Sequence, residues 1–316
     1  MKILIYGGGA VGLGVASCLL KSGQETTILA RPETVSQLRS KGLVRTGIFG
    51  DFVAPPGSFE ACASLSEVRG TVFDYILVAT KSFDSEPAAQ DLLDHYRLLG
   101  DQGKIVLFQN GWGNGGIFGR FFDRERIYNA RVITGFIRPE KNRVEITVHA
   151  EPIHIGSIFG SALEPLQPLC RAISEGGIPC EPSPQIIKDL WAKMLFNCPL
   201  NSLGAVCGVT YGALGASPWA RNILDRMTRE IFGVMDKAGF ATHWNTPEDY
   251  LKVFYAELLP HTAGHYSSTL QDLRAGRKTE IDALNGAVVR LGRELDVPTP
   301  VSETLHAMIK FLEKAG

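Results

Sequence analysis

Several things this sequence lacks narrow the reading before any motif is considered. No two cysteines are spaced C-x-x-C: Cys18, Cys62, Cys170, Cys180, Cys198 and Cys207 stand singly, which fits neither a disulfide framework nor a zinc site and suits reduced thiols in a cytoplasmic protein. Neither sign of charge dominates, because 32 Lys and Arg stand against 33 Asp and Glu for a net charge of -1. No general affinity for nucleic acid or an acidic membrane is therefore expected. No apolar run is long enough for a membrane span. The most apolar stretch, 203–220, is broken by Gly204, Gly208, Gly212, Gly215 and Pro218, a spacing that suits close packing of soluble segments. The N-terminus offers a short apolar run followed at once by three glycines, which reads as a buried first strand and not as a signal peptide. Repeats and low-complexity tracts are absent as well.

What is present is a chain of 316 residues, 45% of them hydrophobic, enough for two domains of ordinary size. Its first half alternates short apolar runs with helical patterns, as βαβ units do. Strands are predicted at 2–6, 26–30, 75–79 and 104–108, with helices at 10–21 and 86–97. Two extended segments around Lys141-Asn142-Arg143, then 154–156, read as antiparallel additions at the sheet edge. A helix over 163–174 and a strand at 178–180 close the domain. Pro179, Pro182 and Pro184 then break the chain, and Ser183 with Pro184 suits the N-cap and first position of a new helix. Periodicity beyond is helical: 185–203, 218–238, 247–273 with interruptions, 279–295 and 302–314. The expected architecture is an α/β Rossmann domain, with a doubly wound, mostly parallel sheet, over 1–181 and an all-α domain over 182–316.

Gly7-Gly8-Gly9-Ala10-Val11-Gly12 satisfies G-x-G-x-x-G directly between a strand and a helix. Gly7 makes the tight turn, Gly9 lets backbone approach a pyrophosphate, and Gly12 allows helix–strand packing, with Ala10 and Val11 opening the helix. About 20 residues on, where an NAD enzyme usually carries an acid for the ribose 2′-hydroxyl, this chain has Ala30-Arg31-Pro32. A guanidinium pairs with a 2′-phosphate, so Arg31 points to NADP(H); the alternative is a solvated Arg31 with Glu33 on the ribose. Lys81 lies at the carboxyl edge of the sheet, where cofactor phosphates bind.

Lys193, Asn197 and Asn201 recur at intervals of four in an otherwise apolar helix, placing an ammonium and two amides on one face. A lysine so placed can protonate a carbonyl oxygen, and the amides can fix a carboxylate or hydroxyl; read alone, the stripe also fits a solvated helix edge. Pro199 removes one N–H beside the Asn pair, with a bend expected there. His261 and His265 lie four apart, but no Cys or carboxylate completes a metal set with them. Asp272 and Asp282 suit local caps or bridges, and Trp112 suits either a pocket wall or an exposed loop.

Taken together, Gly7 to Gly12, Thr80-Lys81, Gln109-Asn110-Gly111-Trp112-Gly113, Leu190-Trp191-Ala192-Lys193 with Asn197-Cys198 and Asn201, Ser267-Ser268-Thr269-Leu270-Gln271-Asp272, and Thr279-Glu280-Ile281-Asp282 with Asn285-Gly286 resemble the ketopantoate reductase family, in order and over nearly the whole chain. The resemblance implies reduction of 2-dehydropantoate to pantoate with NADPH, on the route to pantothenate and coenzyme A. It implies that Lys193 is the general acid and that Glu280 orients the substrate and Lys193. Asn110 would stand near the nicotinamide, and Asn110, Asn197, Asn201 and Ser268 would hold the substrate. Arg31 and Lys81 would bind the 2′-phosphate end of the cofactor. His265 stands where better-known members tend to carry Asn, a difference that bears on substrate selection, as does Pro199. Two other readings remain: a reductase of another 2-oxoacid with the same mechanism, and a non-catalytic NADP-binding sensor, against which Lys193 and Glu280 argue. The expected partner is a small 2-oxoacid, with no nucleic acid, membrane or metal, and the sequence leaves open a homodimer.

Overall fold

The computed structural model describes residues 1–315. It comprises two compact units: Met1–Gln109 with Asn114–Ile186, and Asn110–Gly113 with the chain from Ile187 onward. The strands are β1 (Lys2–Tyr6), β2 (Glu25–Leu29), β3 (Leu43–Gly47), β4 (Phe52–Ala54), β5 (Glu60–Cys62), β6 (Phe73–Val78), β7 (Leu99–Leu107), β8 (Ile127–Arg131), β9 (Thr134–Glu140), β10 (Arg143–His149), β11 (Ile153–Gly156) and β12 (Cys180–Pro182). The helices of this first unit are α1 (Ala10–Lys21), α2 (Pro32–Lys41), α3 (Ser85–Asp94), α4 (Asn114–Phe118) and α5 (Gln167–Glu175).

Eight strands form the main sheet in the order β12-β11-β8-β7-β6-β1-β2-β5. Every neighbouring pair runs parallel except β8 with β11. At its centre β1 buries Ile3, Leu4 and Ile5 completely, because a parallel strand covered on both faces has no solvent side to satisfy. The predicted bounds of β1 and α1 agree with those observed.

The hairpin 134–149 departs from its expected place at the main-sheet edge. The hairpin β9–β10 does not extend the edge of the main sheet; it joins β3 and β4 in a separate sheet of order β4-β3-β10-β9. The reason lies in α1, whose residues from Ala10 to Leu20 include no charge. A helix apolar all round must be covered all round. The small sheet contributes Phe136, whose ring fills the place where a Cβ on Gly14 would stand, 2.3 Å away. The end of α5 contributes Gly176, whose absent side chain lets it lie against the Cys18 backbone. Arg45 of β3 is fully buried in the same region and donates to the Gly176 carbonyl at 2.8 Å.

The expected boundary at 181/182 also shifts. Pro182 still pairs with Ile155 in the main sheet, and the division follows Ile186. Ser183 accepts from the Gln185 N–H at 3.1 Å, so it caps a turn, and the helix begins at Ile186.

Among its described residues the second unit has helices and no strand as regular elements: α6 (Ile186–Cys207), α7 (Tyr211–Ala216), α8 (Pro218–Ala238), α9 (Pro247–Val253), α10 (Leu259–His261), α11 (Ser268–Arg274), α12 (Asn285–Glu294) and α13 (Pro300–Ala315), with a π-helical turn at Phe254–Leu258. Its core gathers Trp191, Met194, Leu195 and Cys198 of α6 with Leu224 and Ile231 of α8, Tyr250 of α9 and Val288 of α12. The helix predicted from 279 instead starts at Asn285, because Thr279 to Leu284 form turns closed by Ala283 and Leu284 N–H groups on the Glu280 carbonyl. No described helix is long and apolar enough to cross a membrane.

The Cys18–Gly176 approach yields a sharp test of this packing. Gly176 has ordinary right-handed helical dihedrals, so its backbone would accept alanine, but a Cβ there would stand 2.2 Å from the Cys18 carbonyl oxygen. Gly176→Ala should therefore destabilise the protein by about 1–3 kcal/mol through overpacking, where an open helical site would gain from the same change. Urea denaturation measures the difference, and a neutral or stabilising result would refute the close contact.

Candidate active site

In the first unit, three glycines shape the loop between β1 and α1. Gly7 has φ +123°, and a Cβ on it would meet the Ala79 carbonyl carbon at 2.8 Å and the Thr80 nitrogen at 2.9 Å. Gly12 closes on the same turn, since its Cβ would lie 2.0 Å from the Gly7 oxygen. Gly9 differs: its nearest neighbour would be the Ala79 oxygen at 3.8 Å, so the space beside it is open. It is the N-cap of α1, with no side-chain cap and no acid in the first turn. The N–H groups of Ala10, Val11 and Gly12 therefore begin a helix that has only backbone and dipole to offer an anion. These residues fit a dinucleotide pyrophosphate.

Arg31 follows β2, exposed, as the N-cap of α2. Lys81 follows β6, half-buried, and Gln109 donates to its carbonyl at 3.2 Å and to Thr80 Oγ1 at 3.1 Å. Arg138 joins the glycine loop without any cue in local spacing. From β9 its Nη1 donates to the Gly8 carbonyl at 2.7 Å, bringing a positive charge to the glycine loop. Only the placement of the small sheet reveals it.

In the second unit, Lys193 and Asn197 are half-buried on α6, which continues through Pro199. Asn197 donates to Asn110 Oδ1 at 3.3 Å. Asn110 is held in turn by its own loop. Gly111, at φ +86°, lies so close to the Ala283 backbone that a Cβ would be 2.4 Å from its oxygen, and the Trp112 N–H donates to that oxygen at 2.8 Å. Trp112 packs on Trp191 and Phe240, with ring centroids 4.9 and 4.8 Å away, so it is neither a free loop aromatic nor a lone wall. The loop pressed against the Asn110 turn is the one that carries Glu280. Asn197, Asn110 and the Glu280 loop are thus joined by short backbone and amide contacts, with Lys193 one turn before Asn197 on α6.

Two expected substrate residues fare differently. Asn201 is buried, and its Oδ1 accepts from the Tyr211 hydroxyl at 2.5 Å. That bond ties Asn201 into the core. The two serines divide their work: Ser267 is buried, caps α11 through the Leu270 N–H and donates to the Asn201 carbonyl, while Ser268 is exposed. His265 packs on Tyr211, and partial desolvation of its ring holds the imidazole below the ordinary histidine pKa. Asp272 bridges to Arg277, and Asp282 to His306 and Lys310.

The contrast between Gly9 and Gly12 separates binding from folding. Gly9→Ala should leave the thermal midpoint nearly unchanged, because the space beside it is open and its extended dihedrals suit alanine. It should weaken binding of a nicotinamide dinucleotide by about tenfold or more, roughly 1.4 kcal/mol or above. Gly12→Ala should lower both. Fluorescence titration and thermal unfolding check the pair, and unchanged nucleotide affinity in Gly9→Ala would remove the pyrophosphate from this loop.

Comparison with known proteins bears on the chain as a whole. Residues 3–159 match the family model described as Ketopantoate reductase PanE/ApbA, and residues 185–313 match its C-terminal counterpart. The chain is 34% identical to a protein of Aquifex aeolicus named 2-dehydropantoate 2-reductase, over 99% of this chain and 97% of that one. Among solved structures, a PanE/ApbA family ketopantoate reductase from Ralstonia eutropha is 26% identical with a TM-score of 0.85, covering 100% of this chain and 99% of that one. A D-mandelate dehydrogenase solved with NADH and anilino(oxo)acetate is 25% identical with a TM-score of 0.87, at the same coverage. With both halves matched in order and a relative aligned end to end, this chain belongs to the ketopantoate reductase family.

Proposed function

We propose that this protein reduces 2-dehydropantoate to pantoate with NADPH. The observation that carries the reading is the amide pair Asn110–Asn197, one helical turn from Lys193 and braced against the Glu280 loop through Trp112 and Ala283. The end-to-end likeness to the Aquifex aeolicus protein named 2-dehydropantoate 2-reductase supports the substrate.

In this reading Lys193 polarises the keto oxygen and donates the proton that the new alkoxide needs. Glu280 steadies the ammonium and accepts from the substrate hydroxyl, while Asn197, Asn110 and Ser268 bind its polar ends. Asn201 acts from behind through Tyr211. Gly7, Gly9, Ala10, Val11 and Gly12 cradle the cofactor pyrophosphate, Arg138 supports that loop, and Arg31 and Lys81 pair with the 2′-phosphate. When bound, the nicotinamide cofactor supplies the hydride. The D-mandelate dehydrogenase solved with NADH has the same fold, so the preference for NADPH rests on Arg31 and not on the architecture.

Two measurements test this function. Arg31→Ala should weaken NADPH binding about ten- to a hundredfold while barely changing NADH, the scale of one charge-assisted pair. Equal affinity of the unaltered protein for the two cofactors would overturn the assignment. Steady-state kinetics should show a strong preference for 2-dehydropantoate over 2-oxoisovalerate, which lacks the hydroxyl; sites that pair a hydroxyl discriminate by as much as about 10⁴ where the pairing groups are buried. Lys193→Ala should lower kcat on the preferred acid by roughly 10² to 10⁴ with nucleotide affinity unchanged. A clear preference for 2-oxoisovalerate, or near-normal kcat in the variant, would refute the substrate or the acid respectively.

A further inference from the structure

The residues around Glu280 belong to no helix or strand, yet they are held more firmly than most loops. Thr279 is almost fully buried. Its N–H and its hydroxyl both donate to Glu313 Oε1, at 2.8 and 2.7 Å. The same hydroxyl accepts from the Ile281 N–H at 3.2 Å. The backbone on either side of Glu280 is therefore tied to one carboxylate. Two residues on, Asp282 accepts from His306 at 2.8 Å and from Lys310 at 2.9 Å. Lys310 reaches Glu313 Oε2 at 2.7 Å, closing the network.

All three outer members, His306, Lys310 and Glu313, come from α13. That helix is itself pinned at its start, where Glu230 of α8 accepts from Val301 N, Ser302 N and Ser302 Oγ at 2.7 to 2.9 Å. Glu313 is an unfavourable residue for its position. A carboxylate in the last turn of a helix opposes the helix dipole, and its side chain is only 9% exposed. Burial works against its charge, but the hydrogen bonds from Lys310 and Thr279 outweigh it and hold the carboxyl below its ordinary pKa. Asp282 is held far below the carboxylate range, first by His306 and then by Lys310.

We propose that α13 is a positioning element for Glu280, acting through the Glu313–Thr279 clamp and the Lys310–Asp282 bridge. Neither Glu313 nor Thr279 touches the substrate in this arrangement; they fix the backbone from which Glu280 projects. The inference rests on the role proposed above for Glu280, and its test keeps the two apart.

In the full-length protein, Glu313→Ala should lower kcat/KM for 2-dehydropantoate about ten- to a hundredfold, the scale of a misplaced catalytic group, with the NADPH dissociation constant unchanged. Added to Glu280→Ala, the same change should have almost no further effect, because the group it positions is gone. Thr279→Val should reproduce the loss and Thr279→Ser should restore activity. These gentler changes decide the matter if Glu313→Ala does not fold. Multiplicative losses in the double variant, or normal kinetics in both Glu313→Ala and Thr279→Val, would overturn the positioning role. Normal kinetics in Glu280→Ala alone would instead overturn the role of Glu280 itself.

Discussion

The first unit depends on the complete burial of a helix that carries no charge between its first residue and its last turn. Helix α1 is buried from Gly12 to Leu19, and each neighbour exists to cover part of it. The main sheet lies on one side. The small sheet reaches over Gly14 with Phe136, and α5 closes on Cys18 through Gly176. Because burial at these distances leaves no room for side chains, small residues appear where backbones meet. Gly9 stands apart from these contacts: the space beside it is open, and α1 starts from it with no capping side chain. One helix thus combines a crowded, apolar body with an open, uncapped N-terminus.

The second unit applies a related rule to α6. Its core face packs through Trp191, Met194, Leu195 and Cys198, and the polar stripe is supplied with partners instead of being left to solvent. Asn197 finds Asn110, and Asn201 finds Tyr211. Buried amides left unpaired would cost about 1–3 kcal/mol each, so these pairings fix where the amides sit. The loops that bring Asn110 and Glu280 together do so by backbone contact at Gly111 and Ala283. Such contact tolerates little adjustment, so the Asn110 turn and the Glu280 loop are held to one another.

Much of this was legible in the chain because the signals are local. Strand β1, helix α1 and helix α8 have their expected bounds, set by apolar periodicity, by glycines and, for α8, by the Ser217 cap with Pro218 behind it and Gly239 in a left-handed C-cap. The glycine fingerprint and the Lys193-Asn197-Asn201 spacing depend on neighbouring residues and on helical geometry alone. Turns at Thr279 to Leu284 look like helix in the sequence because their residues keep a helical pattern, whereas in the structure the carbonyl of Glu280 takes two closing N–H groups.

Local patterns are enough to specify a mixed α/β half and a helical half, a glycine-rich turn between a strand and a helix, and a lysine with two amides on one helical face. Tertiary structure decided what those groups meet. Arg138 lies 130 positions from Gly8, Asn197 lies 87 from Asn110, and Glu313 lies 34 from Thr279. Nothing in local spacing records such pairings. Whether hairpin 134–149 extends one sheet or begins another is decided by which surface is left uncovered, here the outer face of α1, since strand alternation is the same in either place.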